Sequence, residues 1–173
     1  MSSVTPSGRQ LSGMMAAAVP TAAGGVIELG AGTGVITHAL IKHGVKPEQL
    51  LLVEMNEVLH DLLRHTFPHA HVVCGDARTL QPLIAGAGAF GNQPIGAVVS
   101  SLGLLTMPVD VQHDILAAAF GVLRPGGVFV QYTYGPSRPV APDVCTALGL
   151  HWRRHGLAWR NLPPAGVYIY SRA

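Results

Sequence analysis

Residues 26–34 constrain the fold of this chain most strongly, because they join a short apolar run to three closely spaced glycines. The segment reads Val26-Ile27-Glu28-Leu29-Gly30-Ala31-Gly32-Thr33-Gly34. The apolar run predicts a buried strand, and residues 35–44 predict an amphipathic helix that ends at a glycine. Glycine lets the backbone turn sharply and approach a ligand where a Cβ atom would collide. The segment therefore predicts the strand, turn and helix that begin a nucleotide-binding α/β fold.

The glycine spacing separates this turn from the G-x-G-x-x-G turn of dinucleotide enzymes. Here the glycines alternate with other residues, and Glu28 precedes the first of them by two positions. The segment resembles motif I of class I S-adenosylmethionine (SAM) methyltransferases, in which the turn passes under the methionyl and ribose parts of SAM. The resemblance implies a cofactor site at Glu28, Gly30, Ala31, Gly32 and Gly34. An ordinary glycine-rich turn between a strand and a helix is the alternative.

Length and composition indicate one globular domain over residues 1–173, with an N-terminal helical segment over residues 1–24. No apolar run is long enough to span a bilayer, and residues 11–18 predict a helix of the mature protein rather than a secretion signal. Two cysteines and singly scattered histidines indicate neither a disulfide framework nor a metal site. A net charge of +2 is too small to indicate a nucleic-acid partner. We expect a cytoplasmic protein.

Two further predicted strands also end at an acidic residue, and both carboxylates are candidates for cofactor contacts. Glu54 follows the glycines by about one βαβ unit, where a carboxylate can accept hydrogen bonds from both ribose hydroxyls. In the methyltransferases, the position of Met55 often flanks the adenine. At the end of the third strand, an acidic residue such as Asp76 commonly accepts a hydrogen bond from the adenine amino group in these enzymes. The next backbone amide, here that of Ala77, then donates to a ring nitrogen. Capping of the following helix is the alternative for both acidic residues.

Strands and helices alternate along the rest of the sequence. Helices are predicted over Glu57 to Phe67 and over Asp110 to Leu123, with Thr5 as the cap of the first helix. Two strand-like runs near the end, His151 to Trp159 and Val167 to Ser171, indicate an antiparallel hairpin. The prediction is a Rossmann-like, doubly wound α/β sheet of seven strands that binds its ligands at the carboxyl ends of the strands.

Further motifs are distributed along nearly the whole chain. They are Pro6-Ser7-Gly8-Arg9, Leu51 to Asn56, Gly75-Asp76-Ala77, Val99-Ser100-Ser101-Leu102, Leu123 to Gly127, Gln131-Tyr132-Thr133-Tyr134-Gly135-Pro136 and Trp159-Arg160-Asn161-Leu162-Pro163-Pro164-Ala165. Together with the glycine motif they look like bacterial phospholipid N-methyltransferases. These enzymes methylate phosphatidylethanolamine stepwise towards phosphatidylcholine, and relatives act on ornithine lipids. The resemblance implies a SAM-dependent N-methyltransferase whose substrate is a lipid head-group amine.

On this resemblance, Tyr134 lies at the cofactor mouth and orients the amine, and Tyr132 or Tyr134 stabilises the methylated ammonium by cation–π attraction. Packing at a strand end is the alternative for each tyrosine, and it is the preferred interpretation of Tyr132. Ser100 and Ser101 are candidates for contacts to the amine, and Ser100 also for the cofactor. Gly103 stands where the family usually has a proline. The family also carries a basic amphipathic helix before its Pro-Ser-Gly-Arg motif, and this sequence begins almost at that motif. We expect a monomer with weak, peripheral contact to the inner face of the cell membrane.

Two other functions remain open at this point. One is an rRNA adenine N6-methyltransferase-like enzyme, which Pro6-Ser7-Gly8-Arg9-Gln10 and the glycine motif also resemble. Methylases of adenine amino groups usually have an aromatic residue after the fourth strand to stack on the base, but residues 100–105 contain none. The other is a SAM-binding protein without transferase activity.

Overall fold

The computed structural model describes residues 6–172, so the predicted cap Thr5 lies outside the described residues. Within this range the structure has seven strands and six α-helices. The strands are β1 (Gly25–Leu29), β2 (Leu50–Glu54), β3 (His71–Cys74), β4 (Ile95–Ser100), β5 (Val128–Tyr134), β6 (Leu150–Ala158) and β7 (Ala165–Arg172). The helices are α1 (Pro6–Ala17), α2 (Val35–Lys42), α3 (Glu57–Thr66), α4 (Leu80–Ala85), α5 (Val109–Val122) and α6 (Pro142–Leu148).

The seven strands form one sheet in the order β3-β2-β1-β4-β5-β7-β6. Strands β1 to β5 run parallel to one another, whereas β7 runs antiparallel to both of its neighbours, β5 and β6. The chain leaves β1 for β2 and β3 on one side and returns to β4 on the other. The carboxyl ends of β1, β2, β4 and β5 therefore meet at one edge of the sheet, which we call the carboxyl edge. This architecture confirms the predicted doubly wound sheet with an antiparallel C-terminal hairpin.

Helices cover both faces of the sheet, and each face has its own apolar core. On one face α1, α2 and α3 pack against it through side chains such as Met15, Leu40 and Leu63. On the other face α4, α5 and α6 contribute residues such as Leu116 and Val144. The continuous apolar sequence of β2 follows from this arrangement, because its residues are buried on both faces.

Helix α6 is absent from the sequence prediction, although its ends carry recognisable signals. Pro142 occupies the first turn, and Gly149 follows the last residue with a left-handed φ of 65°. Proline at the first helical position and glycine just after the last one are typical of helix ends. The helix has only seven residues, so its apolar periodicity is too short to be conspicuous.

Candidate active site

The glycine turn after β1 requires glycine at all three positions. Gly30, Gly32 and Gly34 have φ values of 68°, 59° and 89°, in the left-handed region that other residues rarely adopt. A Cβ atom on Gly30 would lie 2.9 Å from Leu102 Cδ2, and one on Gly34 would lie 2.5 Å from Phe67 Cε2. The turn is thus pressed between the segment after β4 and the end of α3. These two contacts, with Leu102 and Phe67, restrict the position of its backbone.

Glu54 connects the end of β2 to the glycine turn. Its Oε2 accepts a hydrogen bond from the amide of Gly32 at 3.0 Å, and its Oε1 accepts one from the amide of Asn56 at 3.2 Å. Asn56, not Glu54, caps α3 by accepting from the amide of Leu59 at 3.1 Å. A carboxylate offers about four lone-pair sites, so two remain for other donors. The arrangement fits a ribose whose two hydroxyls donate to Glu54.

Glu28 lies beneath the same turn and is completely buried. Thr37 Oγ1 in α2 donates a hydrogen bond of 2.6 Å to its Oε2. Burial raises the pKa of Glu28 to about 8, the Thr37 hydrogen bond lowers it, and the nearby Glu54 raises it further. Glu28 Oε1 has no hydrogen-bond partner within residues 6–172. A buried polar atom left without a partner is a place where a polar ligand group or a water molecule can bind.

Asp76 caps the short 3₁₀ turn at Ala77–Thr79, as the capping alternative predicted. Its carboxylate accepts from the backbone amide of Arg78 at 2.8 Å and forms an ion pair with the Arg78 guanidinium at 2.7 Å. The side-chain and backbone hydrogen bonds from Arg78 lower the pKa of Asp76. A contact with an adenine amino group must therefore use a lone pair that Arg78 leaves free. Met55 is largely exposed and can flank a planar base.

The segment after β4 places its two serines differently. Ser100 is completely buried, and its Oγ accepts from the amide of Leu102 at 3.2 Å. Ser101 is half-buried, and its amide donates to the carbonyl of Leu29 in β1 at 3.0 Å. The Ser100 hydroxyl thus supports the local backbone, and of these two hydroxyls that of Ser101 has the greater access to a substrate.

Gly103 is the central residue of an inverse γ-turn. Its φ of −76° and ψ of 61° are those of this turn, and the amide of Leu104 donates to the carbonyl of Leu102 at 2.9 Å to close it. Proline fixes φ near −65°, so this backbone suits the proline that the phospholipid methyltransferases usually have here. The glycine at this position therefore leaves a backbone that a proline can also adopt.

Two buried glutamines that the sequence analysis did not identify hold this segment in place. Gln131 Nε2 in β5 donates to the carbonyl of Leu102 at 2.6 Å, and Gln112 Nε2 in α5 donates to the carbonyl of Leu104 at 2.8 Å. Both side chains are almost completely buried. A glutamine within the apolar run of β5 was the available signal, because a buried amide has to be hydrogen-bonded.

Tyr134 ends β5 at the carboxyl edge, where 49% of its surface is exposed. Its ring meets the ring of Tyr132 edge to face, with centroids 5.6 Å apart. Tyr132 packs against the core beside α1, and burial, followed by the proximity of Tyr134, raises its pKa. Tyr132 is thus a packing residue that orients Tyr134, and Tyr134 offers a hydroxyl and a ring face to a substrate.

A groove of about 720 Å³ lies between α1 and α2 and reaches Val35, the residue that follows the glycine turn. Its lining includes Arg9, Val35, His38 and Lys42 but none of the carboxylates described above. Across residues 6–172 no cluster of histidine, cysteine and acidic side chains could hold a metal ion. In the same range no helix is long and apolar enough to cross a membrane.

Residues 26–127 match a protein family described as a methyltransferase domain. The matched region extends from β1 to the turn before β5, and so includes the glycine turn, Glu54 and Asp76. The chain belongs to this family, and its glycine motif and seven-stranded sheet are those of the class I SAM-dependent methyltransferases. The protein is an enzyme of this class, and SAM is its methyl donor, as the glycine motif predicted.

A curated relative is the ornithine lipid N-methyltransferase of Singulisphaera acidiphila. It is 32% identical over 154 residues, which cover 83% of this chain and 73% of the relative. This similarity agrees with the resemblance to phospholipid N-methyltransferases that the sequence motifs indicated.

Solved structures of methyltransferases share the fold. The CcbJ methyltransferase from Streptomyces caelestis has a TM-score of 0.72 at 21% identity and covers 98% of this chain and 90% of its own. The glycopeptide N-methyltransferase MtfA complexed with SAM has a TM-score of 0.67 at 16% identity, covering 96% and 94%. At these identities the similarity establishes the fold alone.

Proposed function

We propose that this enzyme transfers a methyl group from SAM to the amine of a lipid head group, such as phosphatidylethanolamine or an ornithine lipid. The observation that carries the proposal is the 32% identity to an ornithine lipid N-methyltransferase over most of the chain. The acceptor side of the site is compatible with it, because residues 100–105 offer no ring for a nucleobase. Tyr134 instead supplies a half-exposed hydroxyl and ring at the carboxyl edge.

The chain's own residues would hold SAM on the β1–β2 side of the site. Glu54 would accept from the two ribose hydroxyls with the lone pairs not used by Gly32 and Asn56. The backbone from Gly30 to Gly34, including Ala31, would pass under the methionyl part, since the left-handed glycines leave no Cβ atoms in the way. Glu28 would support the cofactor turn from below, where its hydrogen bond with Thr37 joins β1 to α2.

The adenine would lie beyond Glu54. Exposed Met55 would flank one face of the base, and Asp76 and the amide of Ala77 would hydrogen-bond its edge. Ser100 would support the site from beneath, because it is completely buried and its hydroxyl holds the amide of Leu102.

The sulfonium of bound SAM supplies an electrophilic methyl group that needs no further activation. The lone pair of a neutral amine would form the new N–C bond as the S–C bond breaks, which gives S-adenosylhomocysteine and an N-methylammonium that later loses a proton to water. Tyr134 and Ser101 would orient the amine, because alignment and exclusion of water are the protein's main contributions to such a transfer. A cation–π contact of about 0.5–2 kcal/mol from Tyr134 would stabilise the ammonium that results.

The lipid substrate implies that the enzyme works at a membrane surface. We propose peripheral contact with the inner face of the cell membrane by a cytoplasmic, monomeric protein. The net charge of +2 favours anionic lipid over neutral lipid only weakly, so apolar contacts have to contribute.

The test is methyl transfer from deuterium-labelled SAM into mixed liposomes, followed by mass spectrometry of the lipids. The liposomes contain phosphatidylethanolamine, its monomethyl form and an ornithine lipid, and a parallel reaction contains ribosomal RNA. Label in a lipid head group is the expected result, and the number of labels gives the extent of methylation. Label only in RNA would contradict the proposal and favour an rRNA adenine N6-methyltransferase-like enzyme. Binding of SAM with no label in either substrate would contradict the proposed acceptor and point to a different methyl acceptor.

A further inference from the structure

Large apolar side chains are exposed mainly at one end of the molecule. Among the described residues, nine large hydrophobic side chains are exposed, and seven of them lie at the carboxyl edge. Those seven are Met55, Val58, Leu105, Val109, Tyr134, Trp159 and Leu162. Met55 and Tyr134 belong to the proposed site, but the other five surround it. Apolar side chains that are scattered singly need no explanation, whereas a concentration of them at one surface indicates a binding face.

The loop between β6 and β7 contributes the most exposed members of this group. Trp159 is 69% exposed and Leu162 is 98% exposed. The loop lies beside Tyr134, because Tyr134 pairs with Ala165 at the start of β7 and the amide of Gly135 donates to the carbonyl of Pro164 at 3.0 Å. A leucine side chain that is almost wholly exposed to water contributes no burial energy to the stability of the fold. Its burial against a partner would release roughly 1.5–3 kcal/mol.

Cationic side chains accompany this loop. The amide of Arg160 donates to Gln10 Oε1 of α1 at 2.9 Å, which brings the first turns of α1, with Arg9, against the loop. Both arginines are exposed, and neither forms an ion pair with a carboxylate in the described part of the chain.

The distribution of charge makes this loop and the adjoining end of α1 basic. The acidic side chains of the carboxyl edge, Glu54, Glu57, Asp76 and Asp110, lie on its β2, β3 and α5 side. Residues 1–27 and 144–173 contain no acidic residue, and of their five arginines Arg9 and Arg160 lie at the loop, Arg153 and Arg154 lie midway along β6, and Arg172 lies at the opposite end of β7. In the fold these two stretches meet, because α1 packs against β6 and β7. The local field therefore favours an anionic partner despite the small net charge.

We propose that the end of the carboxyl edge formed by the β6–β7 loop and the first turn of α1 docks on an anionic lipid bilayer, with Trp159 and Leu162 in the interfacial layer and Arg9 and Arg160 at lipid phosphates. Tryptophan prefers the boundary between head groups and acyl chains, and arginine keeps its charge at the head groups. This inference rests on the proposed function, because a lipid amine lies at head-group depth and the site must face it. Docking through this loop would place Tyr134 directly over the head groups.

The two tryptophans of the chain provide a depth-sensitive test. Trp152 lies on the edge strand β6 under the guanidinium of Arg138, away from the carboxyl edge. Trp152→Phe leaves Trp159 as the only tryptophan, and Trp159→Phe leaves Trp152. Each variant is mixed with phosphatidylglycerol–phosphatidylcholine vesicles whose acyl chains are brominated. We expect strong quenching and a blue shift in Trp152→Phe, and little of either in Trp159→Phe.

Matched substitutions test the apolar and the basic parts separately by vesicle co-sedimentation. Leu162→Gln should weaken binding several-fold, whereas Leu62→Gln, at an exposed leucine of α3, should not change it. Arg160→Gln should weaken binding to anionic vesicles by about fivefold, since each basic residue near such a surface contributes about that much. Arg64→Gln, at an exposed arginine of α3, is its control and should bind as the unsubstituted protein does.

Two results would overturn the inference. One is equal quenching of both tryptophans, or quenching of neither. The other is a concentration-dependent dimer in sedimentation that Leu162→Gln abolishes, because the face would then belong to a second copy.

Failure of the inference and failure of the proposed function are distinguishable, because the vesicles contain no amine substrate. Methylation of a short-chain, soluble aminolipid without selective quenching of Trp159 would support the proposed function and contradict the docking face. Selective quenching of Trp159 without transfer to any amine would support the docking face and contradict the proposed function.

Discussion

The hydroxyl of Thr37 donates a 2.6 Å hydrogen bond to the buried carboxyl of Glu28, and so ties the first turn of α2 to the end of β1 beneath the glycine turn. Thr37 and Glu28 are both completely inaccessible to solvent. An ionised carboxylate is costly in such a place, and its pKa rises to about 8 mainly for this reason. The carboxyl group that supports the cofactor turn is therefore protonated at neutral pH.

This protonation predicts a pH-dependent stability that Glu28→Gln should remove. Between the unfolded pKa of 4.5 and the folded pKa of about 8, the folded protein holds a proton that the unfolded chain has released. The stability associated with Glu28 is fully present below this window and is lost as the pH rises through it, by up to about 1.4 kcal/mol per pH unit. Urea unfolding of both proteins between pH 5 and 8.5 measures the difference. Parallel pH profiles would show that Glu28 is ionised in the folded state.

Glu54→Gln should lower SAM affinity by about tenfold or more, because hydrogen bonds to a charged group contribute roughly 1.5–3 kcal/mol. The amide offers a single acceptor oxygen, so it cannot serve Gly32, Asn56 and two ribose hydroxyls together. Isothermal titration with SAM gives the affinity, and thermal unfolding without SAM gives the change in stability. Glu48→Gln, at an exposed carboxylate before β2, is the control. Unchanged SAM affinity in Glu54→Gln would exclude the ribose assignment.

Gly34→Ala should destabilise the protein more than Gly126→Ala does. The two glycines have similar positive φ values of 89° and 80°, so each substitution incurs about 1–2 kcal/mol of backbone strain. Only Gly34 has a neighbour in the way, since its Cβ atom would lie 2.5 Å from Phe67, while nothing lies within 4 Å at Gly126. Overpacking adds about 1–3 kcal/mol. Free energies of unfolding from denaturant titration provide the comparison, and equal losses would mean that Phe67 moves aside freely.

Gly103→Pro should leave the fold intact and raise the free energy of unfolding by about 0.4–1 kcal/mol. The φ of −76° is already that of proline, so the substitution acts chiefly by restricting the unfolded chain. Gly103→Ala should be tolerated for the same reason, because its Cβ atom would contact only Thr106 Oγ1 at an ordinary 3.6 Å. Chemical denaturation of the three proteins is the measurement. A large loss in Gly103→Pro alone would indicate that Leu102 cannot adopt the extended backbone that precedes a proline.

Tyr134→Phe should lower turnover on an aminolipid by roughly two- to tenfold, the effect of losing one neutral hydrogen bond. SAM affinity should remain nearly the same, because Tyr134 lies on the acceptor side of the site. Tyr132→Phe is the matched control and should change turnover little, since Tyr132 packs against the core. Equal losses of turnover and SAM affinity in Tyr134→Phe would contradict the proposal that Tyr134 orients the amine.

Much of the fold and of the cofactor side of the site could be predicted from the sequence because the signals are local. The left-handed backbone of the turn requires glycines, and those glycines are visible at Gly30, Gly32 and Gly34. The apolar run of β2 and its terminal Glu54 indicated both a buried strand and a carboxylate at its end. Alternation of such strands with helices then restricts the topology to a doubly wound sheet, which the structure confirms.

The acceptor side depended on contacts between residues far apart in the sequence. Gln131 reaches the carbonyl of Leu102 across 29 residues, and Arg160 reaches Gln10 across 150. No local pattern specifies such pairs, since they exist only when the sheet brings β5 beside β4 and β6 beside α1. The exposure of Leu162 is equally invisible in the sequence, where a leucine next to two prolines can be buried or free.

The sequence by itself thus determined the class of enzyme, its seven strands with most of their helices, and the glycines of the turn after β1. Each of these depends on backbone preferences or on periodicity within a few residues. Only the tertiary structure decided that Glu28 is buried beneath the turn, which raises its pKa. It also decided that Gly103 adopts a proline-like turn and that most of the exposed large apolar side chains lie at the carboxyl edge. Burial and exposure depend on contacts between segments that are distant in the sequence, so they are properties of the tertiary structure.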